Sequence, residues 1–262
     1  MELLVVGAGA MGRWLARSVE APVAFADVDP DAARAAADAV DGRAVSVETE
    51  ETFEAVCLAV PISAVEAAVA AHAPRAEAAM FDVSGVMRDP LAAMRTHLPD
   101  RERASLHPLF APANAPGNVA VVPDASGPVL DALLDDLRAA GNHPFETTAA
   151  EHDEAMETVQ ASAHAAVLAY ALAAGEVREE FATPVSAALD DVAATVTDGT
   201  PRVYREIQET FPGAERVAAA ANRLADAEGD TFDALYSEAR ERIDGDPAAG
   251  RRSEDDSTAG GS

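Results

Sequence analysis

The sequence predicts an α/β fold, with a parallel-sheet domain over residues 1–148, an all-helical domain over 149–244 and a disordered tail over 245–262. Three observations lead there. Short apolar runs alternate with helical patterns through the first half. A glycine-rich turn joins the first run to the first helix. From about Ala149 the runs stop and helical segments continue alone. Strand and helix in this cadence make a parallel sheet wrapped by helices through right-handed crossovers.

Leu3-Leu4-Val5-Val6 is the first strand, and a helix pattern runs from Arg13 to about Glu20. Val23 to Ala26 forms the second strand, ending at Asp27, with a helix from about Asp31 to Val40. Ala55 to Val60 is a buried strand closed by Pro61, followed by a helix from about Ser63. Met80 to Val83, Ser105 to Pro108 and Val119 to Val122 supply further strands. In the second half, helices extend to about Ile243 and break at Thr183-Pro184, at Asp198 to Pro201 and at Phe211-Pro212-Gly213. The uncharged run Thr158 to Gly175 approaches membrane-span length. It carries Gln160, Ser162 and His164 between acidic flanks, and is expected to be a buried helix. Gly245 to Ser262 lacks apolar anchors, which predicts disorder.

Gly7-x-Gly9-x-x-Gly12 leaves a strand and opens a helix, the context in which this pattern cradles a dinucleotide. Gly7 allows the tight turn, Gly9 lets backbone approach a pyrophosphate, and Gly12 lets helix and strand pack closely, with Ala10 and Met11 on the same turn. The helix N-terminus offers amide N–H groups and a positive dipole to the phosphates. Asp27, 20 residues after Gly7, is placed to accept hydrogen bonds from an adenosine ribose and to repel a 2′-phosphate. The expected cofactor is NAD, held by Gly7, Gly9, Ala10, Met11, Gly12, Asp27 and Val60 in a Rossmann-type domain.

Beyond this turn lie Asp82-Val83-Ser84-Gly85-Val86, Ser105-Leu106-His107-Pro108-Leu109-Phe110, Glu151-His152-Asp153 and Gln160-Ala161-Ser162-Ala163-His164. Together with Gly9 to Arg13, these segments resemble the prephenate dehydrogenase family of tyrosine biosynthesis, in order, to about Tyr204. The resemblance implies NAD-dependent oxidative decarboxylation of prephenate to 4-hydroxyphenylpyruvate, with arogenate as the alternative substrate. It makes His107 the base that takes the hydroxyl proton, a role suited to a neutral imidazole, and His164 a substrate-facing residue. It also implies a homodimer.

Two positions depart from the family pattern. The usual serine and lysine of the Asp82 segment are Gly85 and Met87 here, with Ser84 one place early as the candidate second catalytic residue. The helix-borne arginine that binds a substrate carboxylate falls near Thr195, which leaves Arg202 or Arg205 as replacement, Arg202 being preferred. Helix-surface pairing with Glu206 and Glu209 is the competing role for both. His152 is read as a helix-start residue outside the site, and His72, His97 and His143 as surface residues. No close ligand pair suggests a metal. Two other classes remain open: a further NAD(P)-linked dehydrogenase of this architecture, and an NAD-binding regulatory module without turnover. The hydroxyacid dehydrogenases use a catalytic lysine, and this chain has none.

Composition bounds the partners. All 19 basic residues are arginine, and 46 acidic residues bring the net charge to −27. Such a surface repels nucleic-acid phosphates, and no basic leader or membrane-spanning pattern is expected. The single cysteine, Cys57, fits a reducing cytoplasm. A lysine-free, aspartate-rich chain resembles proteins of extreme halophiles. At molar salt the Debye length shrinks to about 3 Å and self-repulsion is screened. Thermal unfolding followed in dilute buffer and in molar KCl should therefore give a melting temperature that rises with salt. A salt-independent midpoint would contradict this account.

Overall fold

A computed structural model describes residues 2–244; the predicted tail, 245–262, lies outside the described residues. The chain runs β1 (Leu3–Val6), α1 (Ala10–Arg17), β2 (Val23–Ala26), α2 (Pro30–Asp38), β3 (Arg43–Ala44), β4 (Phe53–Leu58), α3 (Val65–His72), β5 (Ala76–Asp82) and α4 (Arg88–His97). It continues through β6 (Glu102–Pro108), β7 (Asn118–Ala125), α5 (Pro128–Ala139) and β8 (His143–Glu146). The helical part holds α6 (Ala149–Met156), a π-helical stretch Glu157–Ser162, α7 (Ala163–Ala173), α8 (Pro184–Thr197), α9 (Pro201–Thr210), α10 (Gly213–Ala225) and α11 (Asp230–Asp244).

The sheet has eight strands in the order β3-β2-β1-β4-β5-β6-β7-β8. Its first six follow the doubly wound dinucleotide-binding order. The wholly parallel expectation needs one correction: β7 pairs antiparallel with β6, and β8 then lies parallel to β7. The cause is the link between β6 and β7, which holds one 3₁₀ turn, Pro112–Asn114, and no crossover helix. A short link can only return the chain antiparallel. The core strands are buried on both faces (Leu3 to Val6 and Val23 to Ala26 throughout), so they are continuous apolar runs without alternation.

Two buried polar devices hold the reversed edge. Glu102 at the start of β6 accepts from the Val129 and Leu130 N–H groups at 3.1 and 2.8 Å, giving the first turn of α5 an anionic partner. Arg103 donates to Asp124 Oδ2 at 2.8 Å, and to the carbonyls of Leu98, Pro99 and Arg101 at 2.6, 2.9 and 3.0 Å.

The run Thr158 to Gly175 is split between the π-helical stretch and α7. No residue of α7 is fully buried, so the expected buried helix lies instead half-exposed on the helical part. No helix among the described residues is long and apolar enough to cross a membrane. His72, expected at the surface, is buried at the end of α3, and its pKa is pushed down to about 4 by burial and then by Arg75. A small apolar cluster (Val86, Met156, Ala161, Ile207 and Phe211, with Ile62 and Leu109 against it) joins the helical part to the sheet.

Replacing Arg103 by leucine would leave the largely buried Asp124 carboxylate with Arg95 as its one remaining cation and free three carbonyls. Removing one partner of a buried ion pair costs about 3–5 kcal/mol. Denaturant unfolding of Arg103→Leu in molar KCl should show a loss of about 3 kcal/mol, whereas Arg34→Leu, whose ion pair is exposed, should stay within about 0.5 kcal/mol of the parent.

Candidate active site

The parallel register aligns the C-terminal ends of five strands. Val6 stands beside Ala26 and Leu58, Leu58 beside Asp82, and Asp82 beside Ser105. The segments at these ends carry Gly7, Asp27, Val60, Ser84 and His107, so residues far apart in sequence share one edge of the sheet. That edge, at the point where strand order reverses, is where doubly wound sheets bind ligands.

On its nucleotide side, Gly7 has φ +104°, and a Cβ there would run into the carbonyl of Ala59, next to Val60. Gly12 packs as tightly on the Gly7 carbonyl, while Gly9, the residue before α1, faces open space. No side chain caps α1, which leaves the N–H groups of its first turn, where Ala10 and Met11 lie, for an anion. Asp27 is fixed by accepting from Ala8 N–H at 2.7 Å and Asp29 N–H at 2.9 Å. The cap of α2 is Asp29 and not Asp27. Arg13 Nε donates to the Ala8 carbonyl at 2.9 Å and brings a guanidinium against the loop. A cradle free of side chains, an open helix start and a carboxylate at the end of β2 together fit a dinucleotide.

Across the edge, His107 sits near the end of β6, 8% exposed. Its Nδ1 lies 2.9 Å from His152 Nε2. His152 Nδ1 in turn lies 3.0 Å from Asp153 Oδ1, and Arg88 Nε lies 3.2 Å from Asp153 Oδ2. The other side of the ring meets Gln160 Nε2 at 3.3 Å. Burial, and then the neighbouring His152, push the His107 pKa well below 6.5, so the imidazole is neutral at pH 7. Gly85, at φ +91°, lies flat against the ring, and a Cβ there would stand 3.2 Å from Nε2.

Ser84, the candidate second catalytic residue, points elsewhere. Its hydroxyl donates to Asp82 Oδ1 at 2.5 Å and its N–H to the same oxygen at 3.0 Å, which braces the turn after β5. Asp82 is fully buried with Oδ2 unpartnered, and burial pushes its carboxyl up to about 6 against the pull of Ser84. His164 is half-buried on α7 with Nδ1 unpartnered, its ring edge-on to Tyr204 at 4.8 Å between centroids. Burial lowers its pKa too.

Arg202 is exposed on the first turn of α9 and makes no ion pair among the described residues, and Arg205 pairs with Glu209 at 3.8 Å. Glu206 is not the surface partner of either. It is buried, accepting from Ile62 N–H at 3.0 Å and Ser63 Oγ–H at 3.1 Å, and so ties α9 to the segment after β4. Arg202 lies one helical turn before Glu206, on the face that meets the nucleotide-binding half.

His152 is the main correction. Thr148 caps α6, accepting from Glu151 N–H at 3.2 Å, and His152 is buried with Met156 on one face of that helix. The four-residue spacing of these two was the available signal. Gln160 escaped for another reason: the π-helical stretch turns it toward His107, and no periodicity argument anticipates such a bulge. Gln208 Nε2 donates to the Ala161 carbonyl at 2.8 Å, partnering a group inside that stretch. No group of three or more His, Cys, Asp or Glu side chains that could hold a metal occurs among the described residues.

Known proteins resemble the chain over nearly all its length. Residues 11–122 match the family model described as prephenate dehydrogenase, nucleotide-binding domain. A 4-amino-4-deoxyprephenate dehydrogenase of Streptomyces pristinaespiralis is 33% identical over 273 aligned positions, 91% of this chain and 89% of that one. Among solved structures, prephenate dehydrogenase from A. aeolicus, in complex with hydroxyphenyl propionate and NAD+, superposes with a TM-score of 0.70 at 16% identity, covering 93% of this chain and 98% of that one. Synechocystis arogenate dehydrogenase gives 0.63 at 17% identity, covering 93% and 99%. With the glycine cradle and the buried histidine on one edge of the sheet, and a relative matched nearly end to end, the chain belongs to the prephenate dehydrogenase family.

Proposed function

We propose that the protein oxidises prephenate with NAD, releasing the ring carboxylate as CO₂ and leaving an aromatic 4-hydroxyphenyl product. The observation that carries this reading is His107: a neutral imidazole, buried at the ligand-binding edge of the sheet, with Nε2 beside Gly85 and the Gln160 amide.

NAD held by the glycine turn Gly7 to Gly12 and by Asp27 would supply the hydride acceptor for the ring carbon that bears the hydroxyl. The chain's own residues position the ring and manage the proton. Nε2 of His107 takes the hydroxyl proton as the C–O bond becomes a carbonyl; the bond from ring to carboxylate then breaks, its electron pair completes the aromatic ring, and the resulting phenolate regains the proton to give the 4-hydroxyphenyl product. Gln160, hydrogen-bonded to that lone pair at 3.3 Å, stands beside the reacting substituent. The unpartnered Nδ1 of His164 is a polar contact for substrate. Arg202, on the helix whose Tyr204 packs on His164, supplies the cation for a substrate carboxylate. Ser84, held by Asp82, has a bracing role in this scheme.

The 33% relative favours a second reading, in which an amine replaces the ring hydroxyl and His107 takes a proton from nitrogen. We also propose a homodimer through the helical part, where Leu172, Val185 and Tyr236 are 88%, 71% and 68% exposed. Sedimentation in molar KCl should give twice the chain mass.

Absorbance of NADH, followed with prephenate, arogenate and 4-amino-4-deoxyprephenate in molar KCl, separates the substrate readings. Prephenate is expected to turn over; silence with all three would overturn the dehydrogenase reading. His107→Asn should lose about 10³-fold in kcat with its Kd for NAD unchanged. Retained turnover would remove His107 as the base.

A further inference from the structure

We infer that Asp153 and His152 are positioning residues that fix His107 as its Nδ1–H tautomer, so that Nε2 meets the reacting substituent as a bare lone pair. The inference deepens the dehydrogenase reading and, for its catalytic consequence, rests on it.

The reasoning is a count of donors and acceptors. A carboxylate only accepts, so the 3.0 Å contact from Asp153 Oδ1 makes His152 Nδ1 the N–H. We take that proton to be the ring's one, which leaves His152 Nε2 a lone pair. The 2.9 Å contact from that lone pair then makes His107 Nδ1 the donor. His107 Nε2 has no proton left, and Gln160 approaches it with an amide N–H at 3.3 Å, as a lone pair requires. One carboxylate thus dictates the proton position three contacts away.

The arrangement also favours the charged form at the right moment. When Nε2 takes the substrate proton, the resulting imidazolium donates from Nδ1 to a ring that is itself bound to a carboxylate. In the serine hydrolases a carboxylate acts on a histidine in the same way, directly and not through a second ring. His152 is 2% exposed, so water does not compete for either nitrogen. Arg88 on Asp153 Oδ2 keeps the carboxylate turned toward the ring. Beyond Asp153, a cavity of about 450 Å³ lined by Arg88, Asp89, Glu154 and Glu157 opens to solvent.

The test reads protons directly. In protein labelled with ¹⁵N-histidine, long-range ¹H–¹⁵N spectra report which ring nitrogen is protonated, and His107→Asn identifies the His107 signals. The wild type should show a protonated Nδ1 and a bare Nε2. In Asp153→Asn the amide can donate to His152 Nδ1, moving each proton one place along the chain. His107 should then appear with Nε2 protonated, and kcat should fall by about 10²- to 10⁴-fold while KM and the Kd for NAD stay put. Asp153→Glu should restore the wild-type tautomer and most of kcat. A protonated Nε2 in the wild type overturns the inference, as does an unchanged tautomer or an unchanged kcat in Asp153→Asn. If that variant does not fold, the wild-type spectrum still decides. The spectra need neither NAD nor substrate, so a wild type that oxidises no ring compound sinks the dehydrogenase reading without touching this one.

Discussion

The hydrogen bond between His107 and His152 is the contact on which the site depends, because its two rings come from different halves of the molecule. His107 belongs to a strand of the nucleotide-binding sheet and His152 to the first helix of the helical part. Their 2.9 Å separation holds only if those halves keep a fixed relation. Two further features serve that end: the apolar cluster of Val86, Met156, Ala161, Ile207 and Phe211, and the buried Glu206 bonded to Ile62 and Ser63. All three connections lie on the same side of the sheet as the glycine turn. Packing, a charge-assisted bond and the imidazole pair are thus three separate restraints on one crevice.

Charge sets a second constraint. A chain at −27 must bind a dinucleotide, and on the reading above a dicarboxylate, within a field that repels both. Attraction therefore has to be local. At the nucleotide it comes from the uncapped start of α1 and from Arg13, folded against the Ala8 carbonyl. Many other arginines are held by nearby carboxylates, as in Arg43 with Glu2 and Glu51, or Arg216 with Glu157. Arg202, without such a partner among the described residues, is the arginine that the proposed function assigns to a substrate carboxylate.

Legibility in the sequence followed the range of the interactions. The first two strands, the glycine turn and Asp27 are set by nearest neighbours and by burial on both faces, and they were readable from Leu3 to Asp27. The reversal of β7 was not, because it depends on the length of the Leu109–Gly117 link, which no apolar pattern encodes. Among the helices, Thr158 to Gly175 looked like one uniform run, yet its first part is a π-helical stretch whose existence depends on what packs against it. The start of α10 comes so close there that a Cβ on Gly213 would strike the Ala161 and Ser162 backbone. His107 could be named from its segment. Its partner could not, since Glu151-His152-Asp153 carried part of the resemblance but nothing in the segment says which ring the His152 imidazole meets.

Gly85 shows how the departures from the family pattern fit one another. Position 85, where the family resemblance leads one to expect serine, has a left-handed backbone and lies against Nε2 of His107. A side chain there would be strained at φ +91° and would crowd the nitrogen that must meet substrate. With glycine in place, no hydroxyl can orient the imidazole from the Nε2 side, and Ser84 cannot substitute because Asp82 holds it. Orientation has to come from the opposite edge of the ring. The structure places His152 there and backs it with Asp153 and Arg88. The same glycine leaves the approach to the lone pair open, so the ring is bare on its substrate side and braced on its rear side.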